Sequence, residues 1–160
     1  MLSAILSFGL TGIDGYSVRV ETSISTGLPA FDVVGLPDVA VKESRERVRA
    51  AVKNSGFAFP GDHITVNLAP ADKKKEGPGF DLPIALGILA SSGQIPPSQD
   101  AIYAFGELSL DGGIRGVRGA LPMVISARES GVARVLLPKD NLHEAECVEG
   151  IELIPLESLR

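Results

Sequence analysis

The segment "DLPIALGILASSG", running from Asp81 to Gly93, constrains the fold more than any other stretch of the chain. Read as a helix of about three turns, it is apolar nearly all round, so it has no face to give to water and must be buried. Asp81 or Gly79 stands near its N-cap, and Pro83 falls in the first turn, where proline is tolerated.

The rest of the sequence supplies layers to bury it. "SAILSFGL", "YSVRVETSIS" and "AFDVVG" read as strands, with Val18, Val20, Thr22 and Ile24 on one face by two-residue alternation and "TGIDG" as the first turn. Asp38 is a good N-cap for a helix running to about Ser55 and closed by Gly56. "HITVNLA" alternates again, placing Ile64, Val66 and Leu68 together. After the apolar helix, "AIYAFGELSL" and "GGIRGV" read as a hairpin and "LPMVISARESG" as a helix. "ARVLLP" reads as a strand, "NLHEAECV" as a short helix and "IELIPL" as a last strand. Strands come first and helices alternate with strands later, which predicts an α/β (α+β) sandwich with helices packed on one face of a mixed sheet. The 160 residues suffice for a single domain with a real core.

Composition narrows the setting. Hydrophobic residues make up 44% and charged residues 22%, the balance of a globular protein. One cysteine, Cys147, permits no internal disulfide and disfavours a Cys/His zinc site, so a reducing compartment fits best. "MLSAILSFGL" lacks a basic n-region and no apolar run reaches a membrane span, so a cytoplasmic protein is expected. The net charge of −5 disfavours nucleic acid, but it is unevenly placed. From Lys42 to Lys75 eight basic residues face four acidic ones, a balance of +4. From Lys139 to Arg160 two face six, a balance of −4.

Within the basic stretch, Lys42, Arg45, Arg49 and Lys53 fall in one arc of roughly 80° on the first helix, beside Val41, Val48 and Val52. Such a stripe can follow a phosphate backbone. It can equally be a solvated face, with Lys42–Glu46 or Glu43–Arg47 pairing at i,i+4. Lys73, Lys74 and Lys75 precede a helix N-terminus, where anions are favoured, although a flexible charged loop reads the same way. No GxxxxGK[ST] pattern occurs, so no nucleotide site is expected within these residues. The glycines of "DGGIRGVRG", which carry Arg115 and Arg118, read as a tight hairpin rather than a phosphate cradle. His63 and His143 lack any partner pattern for metal or nucleophilic catalysis, and Cys147 lacks an electropositive setting.

Three stretches, "VVGLPDVAVKESRERVRAAVKNSGF", "ITVNLAPADKKKEGPGFDLPIALGILA" and "GELSLDGGIRGVRGALP", closely resemble the N-terminal domain of the bacterial Mg-chelatase-like AAA+ ATPases, the ComM/YifB family. The resemblance covers nearly the whole chain. It implies a fold shared with the proteolytic domain of Lon and the C-terminal domain of RadA. It further implies that an AAA+ module follows, using ATP and Mg and assembling as a hexameric ring that drives branch migration of DNA in natural transformation. No cofactor is expected in the present residues.

A Lon-type site needs a serine nucleophile and a lysine base. In Lon-like sequences the serine follows a motif resembling Glu76-Gly77-Pro78, which puts Gly79 in its place, and the lysine position falls on Leu121. There is also no lysine between Lys75 and Lys139, and arginine holds its proton too tightly to serve as a base. The resemblance therefore implies a non-catalytic module contributing DNA contact and ring assembly. Its candidate residues are Lys73, Lys74, Lys75, Lys42, Arg45, Arg49, Lys53, Arg115 and Arg118. The alternatives are pure oligomerisation or partner binding without DNA and, remotely, an ATP-dependent peptidase.

Overall fold

A computed structural model describes residues 2–11, 14–96 and 102–159. Strands β1 (Leu2–Thr11), β2 (Asp14–Ser25), β3 (Ala30–Val34) and β4 (His63–Ala69) form a sheet in the order β1-β2-β4-β3. All neighbours are antiparallel except β3 and β4. A parallel pair needs a crossover, here α1 (Val39–Lys42) and α2 (Ser44–Asn54). The expected period-two faces are present: Val18, Val20 and Thr22 are buried with Ile64, Val66 and Leu68 across the ladder. Gly12 and Ile13 of the expected first turn lie outside the described residues.

The apolar helix is α3 (Asp81–Ser91), buried between the sheet and α2 as its composition demands. Its closest approach is at Gly87, where an added Cβ would meet Thr22 Oγ1 at 2.4 Å. Any side chain there would push the helix off the sheet. Asp81 does not cap α3. Its carboxylate turns back to Arg47 on α2, with Nε at 2.6 Å and Nη2 at 3.1 Å, and also accepts from Ser44 Oγ and the Leu108 amide. Four donors on one fully buried carboxylate join α2, α3 and the strand that follows.

One helix was expected from Asp38 to Ser55, and the chain instead breaks at Glu43. Asp38 does cap it, its Oδ1 accepting from Val41 N at 2.8 Å. The break follows from two side-chain hydrogen bonds, one of them from Arg47 as it reaches toward Asp81. Arg47 Nη2 donates to Ala40 O and Arg45 Nε to Lys42 O, the carbonyls that the amides of Ser44 and Glu46 would take in a continuous helix. The Glu46 amide bonds Glu43 O instead, tightening the turn.

The second half forms β5 (Glu107–Leu108), β6 (Ile114–Arg115), α4 (Ala120–Glu129), β7 (Arg134–Pro138), α5 (Leu142–Ala145) and β8 (Glu152–Leu156). β5 and β6 make the short hairpin read from the glycines, with Gly112 at φ 95° in the turn. The residues before it behave differently from the expected strand: Tyr103 bridges β1 at Leu6, and Ala104 bridges β7 at Leu136, joining the two halves. A second core of Phe8, Phe105, Met123, Val124, Val135 and Leu137 fills the junction. Because Phe8 and Leu10 alternate with Ile5, Ser7 and Gly9, α4 covers the sheet face opposite α3, so the helices are not confined to one face as expected.

The lysine loop is tied down rather than free. Lys75 runs parallel to Pro37, its amide donating to Leu36 O and its carbonyl accepting from the Asp38 amide, both at 2.9 Å. Its side chain is fully buried, with Nζ donating to Gly35 O at 2.8 Å and to Pro70 O. Leu36, held between these bonds, adopts φ 59°, a costly conformation for a leucine. Burial pushes the Lys75 ammonium below the ordinary lysine value.

Two predictions follow from these buried charges. Asp81→Asn leaves the Arg47 guanidinium without its counter-charge, and urea unfolding should show a loss on the order of 3–5 kcal/mol. A loss under about 1 kcal/mol, the scale of an exposed pair, would remove Asp81 from its central place. For Lys75, the unfolded chain holds the proton more tightly than the folded one. Stability should therefore rise with pH between the lowered value and the ordinary lysine value, and the burial cost is fully present below both. Denaturation from about pH 7 to about pH 10 should show this rise in the parent chain and its absence in Lys75→Met; parallel curves would contradict it.

Candidate functional site

The segment from Glu76 to Phe80, just after the lysines, builds one wall of a cleft of about 550 Å³, lined also by Phe8 to Leu10 of β1 and by Gly116, Val117 and Arg118 between β6 and α4. Each wall has a fixed foundation. Asp38 serves two elements, capping α1 through Oδ1 and accepting the Gly77 amide on Oδ2 at 3.2 Å. Gly77 stands at φ 81°, a turn that favours glycine, and Pro78–Phe80 then makes one 3₁₀ turn into α3. Opposite, Val117 exchanges two hydrogen bonds with the side chain of the buried Asn141.

Tyr16 joins the loop to the sheet. Its hydroxyl donates to Lys74 O at 3.1 Å, and Lys73 Nζ lies 4.4 Å from the centre of its ring. Burial raises the phenol's pKa, and the negative charge of Glu76 raises it further. At physiological pH this tyrosine is a neutral donor.

The three lysines therefore divide. Lys73 and Lys74 are exposed, but Lys75 points inward and satisfies two carbonyls, so its expected availability to an anion is corrected. The reason is the alternation of an extended segment, which turns one of the lysines toward the interior beside Pro37. Along α1 and α2, Lys42, Arg45 and Lys53 are exposed, while Arg49 is half-buried with its guanidinium 5.4 Å from the Phe59 ring centre. Arg115 and Arg118 are exposed on the hairpin and at the cleft rim.

Among the described residues the cations sort into two groups. Arg19, Arg47, Arg134 and Lys139 make ion pairs with carboxylates. None of Lys42, Arg45, Arg49, Lys53, Lys73, Lys74, Arg115 and Arg118 has a carboxylate within 4.0 Å, and Arg128 is alike. Of the two i,i+4 pairs weighed from sequence, Glu43–Arg47 forms at 3.7 Å and Lys42–Glu46 does not. The Arg47 proton is held more tightly than usual, chiefly by its hydrogen bond to Asp81.

Gly79 lies on the cleft wall, where an added Cβ would meet only Val117 Cγ1, at 3.8 Å. Leu121 is half-buried against the second core on α4. Sequence reasoning missed the Asp81–Arg47 pair, although one carboxylate at the head of an otherwise apolar helix was a visible signal. It also missed Asp38 as a brace for the cleft, a role that depends on Gly77, far along the chain. His63 pairs with Asp32 and His143 with Glu146 at the surface, Cys147 is exposed, and no metal-binding cluster occurs among the described residues. No helix among them is long and apolar enough to cross a membrane.

Comparison with known proteins matches this architecture. The family described as subunit ChlI of Mg-chelatase matches residues 20–141. The chain is 43% identical over 150 residues to YifB of Escherichia coli, covering 93% of this chain and 29% of that protein. It is 44% identical over 148 residues to competence protein ComM of Haemophilus influenzae, covering 92% and 29%. More distantly, it is 28% identical over 121 residues to Lon protease 2 of Bacillus subtilis, 74% of this chain and 21% of that protein, in keeping with a Lon-like domain of helices on a mixed sheet. The chain thus spans less than a third of the length of each of these relatives. Strands β3 and β4, the lysine loop and the buried helix all fall within the residues that the family model matches, and the chain belongs to the Mg-chelatase ChlI-subunit family together with YifB and ComM.

Proposed function

We propose that this chain is the non-catalytic, Lon-like N-terminal domain of a cytoplasmic Mg-chelatase-like AAA+ ATPase, and that it contributes DNA contact within a hexameric ring acting in recombination. The observation that carries the DNA contact is the sorting of the cations. None of the nine candidate side chains has a carboxylate partner, and all but the buried Lys75 reach the surface, whereas three of the four exposed cations elsewhere among the described residues, Arg19, Arg134 and Lys139, are paired and Arg128 is not. An unpaired surface cation can neutralise a phosphate without first giving up a carboxylate, and each phosphate neutralised releases counterions condensed on the DNA. The name of ComM, a competence protein, supports a DNA-linked process. ATP and Mg belong in this reading to the longer protein.

The non-catalytic part of the proposal rests on position 79. Glycine offers no hydroxyl to the cleft, and no lysine follows Lys75 until Lys139, whose ammonium is paired with Glu157 at 2.8 Å. A nucleophile and its base have no residues here to supply them in the Lon arrangement.

The test is fluorescence anisotropy of labelled single-stranded and forked DNA at about 50 mM and 200 mM salt, salt concentrations over which phosphate contacts weaken strongly. Lys73→Glu with Lys74→Glu should weaken binding and lower the salt slope by about 1.4 on single strands. Arg134→Glu, which changes charge at a paired site, should leave both nearly unchanged. Equal losses in the two variants would mean a net-charge effect only, and flat curves for the parent chain would remove the DNA contact.

A further inference from the structure

We propose that the exposed apolar turn at Leu36, with the basic side chains beside it, is a contact surface for a second copy of this chain, which meets it through the acidic surface around α5. The leucine carries the argument first. It stands at φ 59°, a conformation that favours glycine, and it is 51% exposed. A leucine in that place costs stability and returns little burial, so the fold alone gives no reason for it. Val34 at the end of β3 and Val39 at the start of α1 are 46% and 72% exposed. Three aliphatic side chains thus stand out from a single turn of the chain.

Cations adjoin this turn. Arg45 donates through Nε to Lys42 O at 3.2 Å and through Nη1 to Phe31 O at 3.5 Å, which lays it between α1 and β3. Lys42 and Arg45 are both exposed, and neither makes an ion pair. Glu43 is held by Arg47, so along Val39–Asn54 Glu46 is the one unpaired carboxylate beside Lys42, Arg45, Arg49 and Lys53. Phosphate gains nothing from exposed aliphatic side chains, whereas a protein surface buries them.

The chain itself carries the complement. Asp140, Glu144, Glu146 and Glu149 are all exposed on and around α5, and Asp140, Glu144 and Glu149 are in no ion pair among the described residues. The two surfaces lie on different parts of the molecule: α2 packs on α3 over the first core, and α5 packs on α4 over the second. A contact between unlike surfaces is head-to-tail, so each copy keeps one surface open and the assembly grows until a ring closes. Opposite charges set the register, and the aliphatic side chains supply the buried centre. This inference rests on the ring reading of the longer protein and specifies which faces meet. Lys42 and Arg45 then face a neighbour, and DNA contact falls to the other candidates.

Neighbours tethered in one ring meet at an effective concentration of about 1 mM, so the test is sedimentation equilibrium of this chain at up to about 1 mM in about 50 mM salt. The parent should form species larger than a dimer. Lys42→Glu with Arg45→Glu should weaken self-association by about tenfold, and Glu146→Lys with Glu149→Lys should do the same. These pairs shift net charge in opposite directions, so a net-charge effect cannot weaken both. The fourfold variant that combines them should recover. Leu36→Gly should melt within about 2 °C of the parent yet associate about tenfold more weakly at unchanged net charge. A parent monomeric throughout, association that stops at a dimer, a fourfold variant that stays weak, or Leu36→Gly associating like the parent would overturn the proposal. The ring reading is checked apart from it, by the mass of the longer protein with ATP: a hexamer there with a monomeric chain here would overturn this contact alone.

Discussion

The buried carboxylate of Asp81 holds the architecture together. An ionised carboxyl group in a core is tolerated only when its oxygens are filled with good donors, and here the donors come from two other elements: Ser44 and Arg47 from α2, and the Leu108 amide from β5. The same carboxylate therefore sets how α2 lies on α3 and where the hairpin starts. Because Arg47 also reaches Ala40 O, its pairing reshapes the helix it belongs to, and the break at Glu43 is a consequence of tertiary bonding. With α2 and the hairpin placed, the loop and β5 that border the cleft have fixed anchors.

A second buried charge organises the opposite end of the same loop. Lys75 links the exit of β3 to the segment after β4 by holding Gly35 O and Pro70 O, while its own backbone pairs with Leu36 and Asp38. The two charges lie on either side of the Gly77–Phe80 turn. One is a carboxylate satisfied by donors and the other an ammonium satisfied by carbonyls, and between them the turn has little freedom to move. This explains how a glycine-rich segment can form a defined wall of the cleft without a covering element of its own.

Much of the fold was legible in the sequence because it rests on local periodicity. The alternation of "HITVNLA", the all-round apolar "DLPIALGILA" and the cap at Asp38 each follow from neighbouring residues alone. The misses come from long-range bonds. The break at Glu43 depends on where Arg47 finds its partner, and the inward turn of Lys75 depends on Pro37 lying beside it. Tyr103 and Ala104 read as part of a hairpin, yet they stitch β1 to β7, since strand pairing is decided by the edges available in three dimensions. In the candidate site the charge run was legible and its division into paired and unpaired cations was not. That division depends on which carboxylates the fold brings near.

Position 79 has a bearing on how such a domain changes over time. The glycine has no positive φ that would reserve the site for glycine, and a side chain growing from it would enter the cleft at ordinary van der Waals distance from Val117. The scaffold is thus indifferent to what stands there. Where stability and chemistry depend on separate residues, mutation can remove or install a reactive group without passing through an unfolded ancestor, and related chains can drift between enzymatic and architectural roles on one backbone.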